Sequence, residues 1–88
     1  MPPSSERIAV LPDNVPLHAR PAGLFVRAAA KFGSDVAVAA NGKRANAKSI
    51  LEVLALGAEG GTELTVSASG DDAADAVDQL ATLVAQLA

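Results

Sequence analysis

Apolar and polar positions change period several times along this chain, and the changes divide it into short elements. Glu6–Leu11 alternates, with Ile8 and Val10 on one side, and predicts a strand. Pro12–Leu17 combines two prolines with Asp13 and Asn14, which is loop chemistry. From Ala22 the spacing becomes helical: Ala22, Phe25, Val26, Ala29 and Phe32 share one face, and Arg20, Leu24, Arg27 and Lys31 line another. Pro21 falls in the first turn, where a missing N–H removes no intrahelical bond, and Gly33 is the expected stop.

Asp35–Ala40 and Lys43–Ala47 flank Asn41–Gly42, a pair suited to the positive backbone angles of a type I′ hairpin turn. Lys48–Leu56 predicts a short helix with Ser49 as N-cap and Gly57 as stop. Gly60–Gly61 reads as a loop, and Thr62–Ser69 alternates again so as to bury Leu64, Val66 and Ala68. Asp71 or Asp72 opens a last helix with an apolar stripe of Val77, Leu80, Val84 and Leu87. Asp72, Asp75 and Asp78 crowd its first half, where the helix dipole favours negative charge.

The predicted order is β-α-β-β-α-β-α. One tight hairpin and helices between strands point to an α+β domain, a four-stranded antiparallel sheet with three helices on one face. Its 88 residues suit a single domain over 1–88, with residues 1–5 as a short leader.

Composition narrows the chemistry. With no Cys and one His, disulfides, thiol nucleophiles and cysteine- or histidine-pair metal sites are excluded. No apolar run reaches the ~20 residues of a membrane span, and no signal-peptide pattern is present, so a cytoplasmic protein without direct membrane insertion is expected. The net charge of −3 and the absence of Trp and Tyr argue against nucleic-acid binding. That charge is unevenly spread: residues 1–51 carry +4 and residues 52–88 carry −7. The basic half can face an acidic partner or an anion.

The single histidine, His18, stands directly before the first long helix, in Leu17–His18–Ala19–Arg20–Pro21–Ala22. The first N–H groups of a helix lack internal partners and form an anion site. A phosphoryl group on His18 would lie beside them, with the Arg20 guanidinium able to grip its oxygens. The bland alternatives are a surface histidine and a chance His–x–Arg pair; Pro21 counts against them because it defines where the helix begins.

Leu17–His18–Ala19–Arg20–Pro21–Ala22, Asn41–Gly42–Lys43 and Ala47–Lys48–Ser49–Ile50 together resemble the HPr family, histidine-containing phosphocarriers of the bacterial phosphoenolpyruvate-dependent sugar phosphotransferase system. The resemblance runs from about Glu6 to the C-terminus. It implies the family's open-faced β-sandwich and a carrier that is not itself an enzyme and needs no cofactor or metal. It makes His18 the residue phosphorylated on Nδ1, Arg20 the attending arginine, and Ala19 and Arg20 the positions whose N–H groups bind the phosphoryl group. Ser49 matches the serine phosphorylated by the ATP-dependent HPr kinase/phosphorylase of many Gram-positive bacteria. Two departures precede the histidine: Pro16 stands where the family usually has Gly, and Val15 where it often has Ser or Asn.

The resemblance also implies docking through the first two helices. If Val53 and Leu56 face the core, then Ile50, Leu51 and Leu54 are left exposed, and Leu24 and Arg27 complete the face. The implied partners of a monomeric carrier are enzyme I, enzyme II A domains and an HPr kinase. The alternatives are an HPr-like regulator of the nitrogen-related branch and a binding module that acts without phosphorylation.

Overall fold

The computed structural model describes residues 3–87. The elements run β1 (Ser4–Val10), α1 (Ala19–Ala29), β2 (Asp35–Ala40), β3 (Lys43–Asn46), α2 (Ile50–Ala55), β4 (Glu63–Ser69) and α3 (Ala73–Ala85). The four strands form one sheet in the order β1-β4-β2-β3, with every neighbouring pair antiparallel. The expected fold class holds: four antiparallel strands carry three helices, with α3 against β1 and β4, α1 against α2 and α3, and α2 against β3.

Alternation along β2 and β4 turns Val36, Val38, Leu64, Val66 and Ala68 toward the helices, where Phe25, Leu80 and Val84 meet them. Each such Val, Leu or Phe side chain contributes about 1.5–3 kcal/mol when fully buried. The β2–β3 turn is the two-residue type predicted: Ala40 pairs with Lys43, and Asn41 and Gly42 have φ of 55° and 76°. Asn41 Nδ2 also donates to the Leu56 carbonyl at 3.2 Å, tying the hairpin to the end of α2. Gly57, with φ 63°, ends that helix as expected.

Most boundaries fall within a residue or two of the sequence reading, and three differences have structural causes. Ser4 and Ser5, assigned to the leader, pair with Ser69 and Ala68 as the start of β1; Met1 and Pro2 lie outside the described residues. The α2 helix starts at Ile50, after its cap, so Lys48 belongs to the preceding turn. Gly33 is not the cap of α1. The helix ends at Ala29, and the chain passes through two tighter turns, Lys31 N–H to Ala28 O and Phe32 N–H to Ala29 O. Ile8 and Val10 do share a side of β1, but it is the outer one, 59% and 53% exposed. Pairing of Ala9 with Leu64 puts Ala9 on the core face, and Leu11 beyond the strand is buried. A period of two then places Ile8 and Val10 on the uncovered face of the sheet.

The Gly33 N–H is taken instead by a side chain from the far end of the chain. Asp72 precedes α3, yet its carboxylate makes no bond to its own helix. It accepts from Gly33 N–H at 2.9 Å, from Ser34 N–H at 3.0 Å and from the Ser34 hydroxyl. These bonds clamp the α1–β2 loop to the start of α3. The Ser34 hydroxyl, followed by the Gly33 N–H, holds the Asp72 carboxyl below its ordinary value of 3.8. Since the folded value lies below the unfolded one, the clamp's contribution is complete above the ordinary value and is lost as pH falls through the lower folded one. Asp72→Asn should therefore lower the melting temperature at neutral pH and flatten its decline on acidification below about pH 4. Thermal melts across that range check this, and parallel acid limbs for the two proteins count against the clamp.

Candidate functional site

The segment leading into α1 is bound on both sides. Leu11 N–H donates to Thr62 O and Gly61 N–H to Leu11 O, each at 3.0 Å, and Leu17 N–H donates to Ala58 O at 2.9 Å. Leu11, Leu17 and Ala58 are buried. Between these anchors Val15 N–H donates to Pro12 O at 3.0 Å, closing a turn over Asp13 and Asn14. Val15 and Pro16, the departures noted above, are half-buried, and the Pro16 carbonyl accepts the His18 N–H at 2.9 Å. The loop thus delivers His18 to the N-cap of α1 in an extended conformation, φ −90° and ψ −169°.

Four N–H groups begin an α-helix without intrahelical partners, and here each has a separate fate. His18 N–H is satisfied by Pro16, and Pro21 has none to offer. Ala22 N–H, the next in line, closes the first helical bond to His18 O at 2.8 Å. The Ala19 and Arg20 N–H groups remain, without a protein partner among the described residues. Ala19, Arg20 and His18 are all exposed, and the His18 imidazole does not cap its own helix. Two unpaired donors at the positive end of a helix, with a guanidinium and an open imidazole on neighbouring residues, suit a tetrahedral oxyanion such as a phosphoryl group.

Ser49 is the N-cap of α2, and its hydroxyl accepts from Glu52 N–H at 3.3 Å. The Glu52 carboxylate accepts the Asn46 N–H at 3.0 Å, so Glu52 joins the cap to the end of β3. Lys48 Nζ reaches back to the Phe32 carbonyl at 2.8 Å, linking the turn before α2 to the end of α1. Across α2 the apolar residues divide as anticipated: Val53 and Leu56 are buried, whereas Ile50, Leu51 and Leu54 are exposed, Leu51 at 77%. Leu24 and Arg27 are exposed on α1, which packs against α2.

A broad hollow of about 780 Å³ lies elsewhere, on the uncovered face of the sheet by Ser4, Glu6, Asp35, Arg44, Asn46 and Ser67. Its lining includes Lys48 and Glu52 but not His18, Ala19, Arg20, Ser49 or the exposed apolar residues of α1 and α2. His18 lies instead on an exposed rim. What the sequence reading missed is the role of the Gly57–Thr62 segment, which holds the His18 loop in place; its Gly60–Gly61 pair reads only as a loop.

The family model PTS-HPr, described as the PTS HPr component phosphorylation site, matches residues 5–86. The phosphocarrier protein HPr of Mycoplasma capricolum is 43% identical over 72 residues, covering 82% of this chain and 81% of that protein. The phosphocarrier protein HPr of Vibrio cholerae is 46% identical over 71 residues, covering 81% and 84%. Among solved structures, HPr-C-His from Thermoanaerobacter tengcongensis matches with a TM-score of 0.87 and 40% identity over 92% of this chain and 91% of that one. An HPr dimer from the same organism matches with a TM-score of 0.73 and 45% identity over 78% and 79%.

The division of α2 is directly testable. Leu51→Glu should melt within about 0.5 kcal/mol of the parent, because the side chain leaves no core position. Val53→Asp, two residues on, should unfold or severely destabilise the domain by burying a carboxylate without a partner. Equal losses for the two would place Leu51 in the core.

Proposed function

The chain belongs to the HPr family of phosphocarrier proteins, and from that premise we propose that it carries a phosphoryl group on His18 between enzyme I and the enzyme II A domains of a sugar phosphotransferase system. The observation that carries this reading is the pair of unpaired N–H groups, Ala19 and Arg20, at the start of the helix that His18 caps. In the first step His18 Nδ1 attacks the phosphoryl group of phospho-enzyme I. The phosphorus–nitrogen bond to enzyme I breaks as the bond to Nδ1 forms. In the second, a histidine of the enzyme II A domain attacks the phosphohistidine and His18 is released unchanged. Such transfers need alignment and charge stabilisation more than covalent assistance. The two N–H groups and the Arg20 guanidinium supply the charge stabilisation. The chain is itself a substrate of each step and works as a monomeric carrier in the cytoplasm.

Docking falls to Leu24 and Arg27 on α1 with Ile50, Leu51 and Leu54 on α2, an apolar surface edged by positive charge. Ser49, at the edge of that surface, is the regulatory site for an HPr kinase. A phosphate there sits at a helix N-terminus that tolerates it, yet adds up to about two negative charges beside the docking face and repels an acidic partner.

Enzyme I with phosphoenolpyruvate should add one acid-labile phosphate to the protein, read as intact mass, and His18→Ala should remain folded and gain none. A phosphate acquired by that variant assigns the chemistry to another residue.

Arg20→Ala should slow transfer by roughly 30- to 1000-fold, the result of losing about 2–4 kcal/mol of stabilisation at the transferring group. Arg20→Lys should recover only part, since an ammonium lacks the planar fork. The loss should fall on kcat, whereas Leu51→Glu should chiefly raise the KM for phospho-enzyme I. Steady-state transfer assays separate the two, and near-parental rates for Arg20→Ala would show the backbone groups to be sufficient.

A further inference from the structure

The turn at Gly60 lies directly under the loop that delivers His18. A Cβ placed on Gly60 stands 2.0 Å from the Asp13 carbonyl oxygen, 2.6 Å from its carbonyl carbon and 3.0 Å from the Pro12 carbonyl oxygen. Every one of these atoms is backbone, so no side-chain rotation relieves the overlap. Gly60 does not have the positive φ of its neighbour Gly61, so an alanine there meets no left-handed strain. Its missing side chain is needed for space alone.

The surrounding bonds give that contact a direction. Pro12 and Asp13 open the turn that Val15 N–H closes on Pro12 O, and four residues later Leu17 N–H meets Ala58 O on the same Gly57–Thr62 segment. That segment is itself braced: Thr62 N–H donates to Glu59 O at 3.0 Å, and Glu59 N–H donates to the Thr62 hydroxyl at 3.1 Å. The Pro12–Leu17 loop is therefore held at its start by packing on Gly60 and at its end by the Ala58 carbonyl. Pro16 and the buried Leu17 leave little slack before His18. A shift at Asp13 passes along this short tether to the residue that starts α1.

We infer that Gly60 is a positioning residue for phosphoryl transfer: it seats the Pro12–Asp13 backbone and so sets the placement of His18 over the Ala19 and Arg20 N–H groups. The inference rests on His18 being the phosphorylated residue. Gly60 touches neither the phosphoryl group nor a partner; it acts through the loop. To reach ordinary contact distance from an alanine at 60, the loop must retreat by more than an ångström. A misplacement of about 1 Å at a reacting centre costs transfer rates on the order of 100-fold.

The test pairs Gly60→Ala with two further variants. Gly33→Ala adds a methyl group where no atom lies within 4 Å and controls for the substitution itself. Thr62→Val removes the hydroxyl that braces the turn without adding a clash, and it provides a second route should Gly60→Ala fail to fold. With phospho-enzyme I as donor, folded Gly60→Ala should lose about 100-fold in kcat with KM unchanged, Thr62→Val should lose less in the same sense, and Gly33→Ala should match the parent. A readout independent of turnover accompanies this: hydrogen exchange of the Leu17 amide should accelerate in Gly60→Ala and Thr62→Val, with the amide resonances of Ala19 and Arg20 displaced. Parental kcat in a folded Gly60→Ala, or an undisturbed Leu17 amide in both variants, overturns the inference. If the parent protein itself takes no phosphate, the carrier reading falls with the positioning role of Gly60 in transfer, while the Leu17 amide still reports whether Gly60 seats the loop.

Discussion

Four backbone donors begin an α-helix without partners, and the use of this molecule turns on how α1 disposes of its own. One is spent on the Pro16 carbonyl, one is deleted by Pro21, and two are left facing solvent beside His18. An unpaired buried amide is costly, so the two open donors must lie at the surface, and they do. Their placement is not a property of α1 alone. It depends on the Leu11–Leu17 loop, which in turn hangs from the Ala58–Thr62 segment by backbone bonds and close packing.

The sheet explains why the candidate site sits on a rim. One face is filled by Val36, Val38, Leu64, Val66 and the helices above them. The other is uncovered and carries mostly small or polar residues, with Ile8 and Val10 at its β1 edge. With Phe25 as the only fully buried aromatic, the core is a close-packed aliphatic layer. The connections at one end of the sheet remain to hold function, and two of them, before α1 and before β4, meet there. Charge is divided between the helices. Arg20 and Arg27 project from α1 and Lys31 from the turn after it, whereas Asp71, Asp75 and Asp78 surround the first turns of α3. Separated in this way, the positive side can attract an acidic surface by long-range steering even though the whole chain is negative.

Much of this was legible before any coordinates. The Asn41–Gly42 turn, the Ser49 cap, the Gly57 stop and the alternation of β2 and β4 are local devices, decided by backbone sterics and by hydrogen bonds that span three or four residues. The His18–Ala19–Arg20–Pro21 junction belongs with them, since Pro21 marks the helix start and Arg20 names the charge chemistry. The split of α2 into buried Val53 and Leu56 and exposed Ile50, Leu51 and Leu54 followed from the helical period once one face was assigned to the core.

What tertiary structure alone decided are the pairings between segments distant in sequence. Asp72 looked like an ordinary N-cap, but 38 residues away the Ser34 hydroxyl offered its carboxylate a better partner, and Gly33 lost its capping role to the same clamp. Ile8 and Val10 carried the pattern of a half-buried strand, but which half is buried depends on the register with β4, and a period of two is symmetric until that register is set. Gly60 read as part of a loop, and only the approach of the Asp13 backbone reveals that its lack of a side chain is a spatial requirement. Local preferences act over one turn of chain and are written in it. The placement of one loop upon another is settled by packing, to which both segments contribute and neither alone encodes.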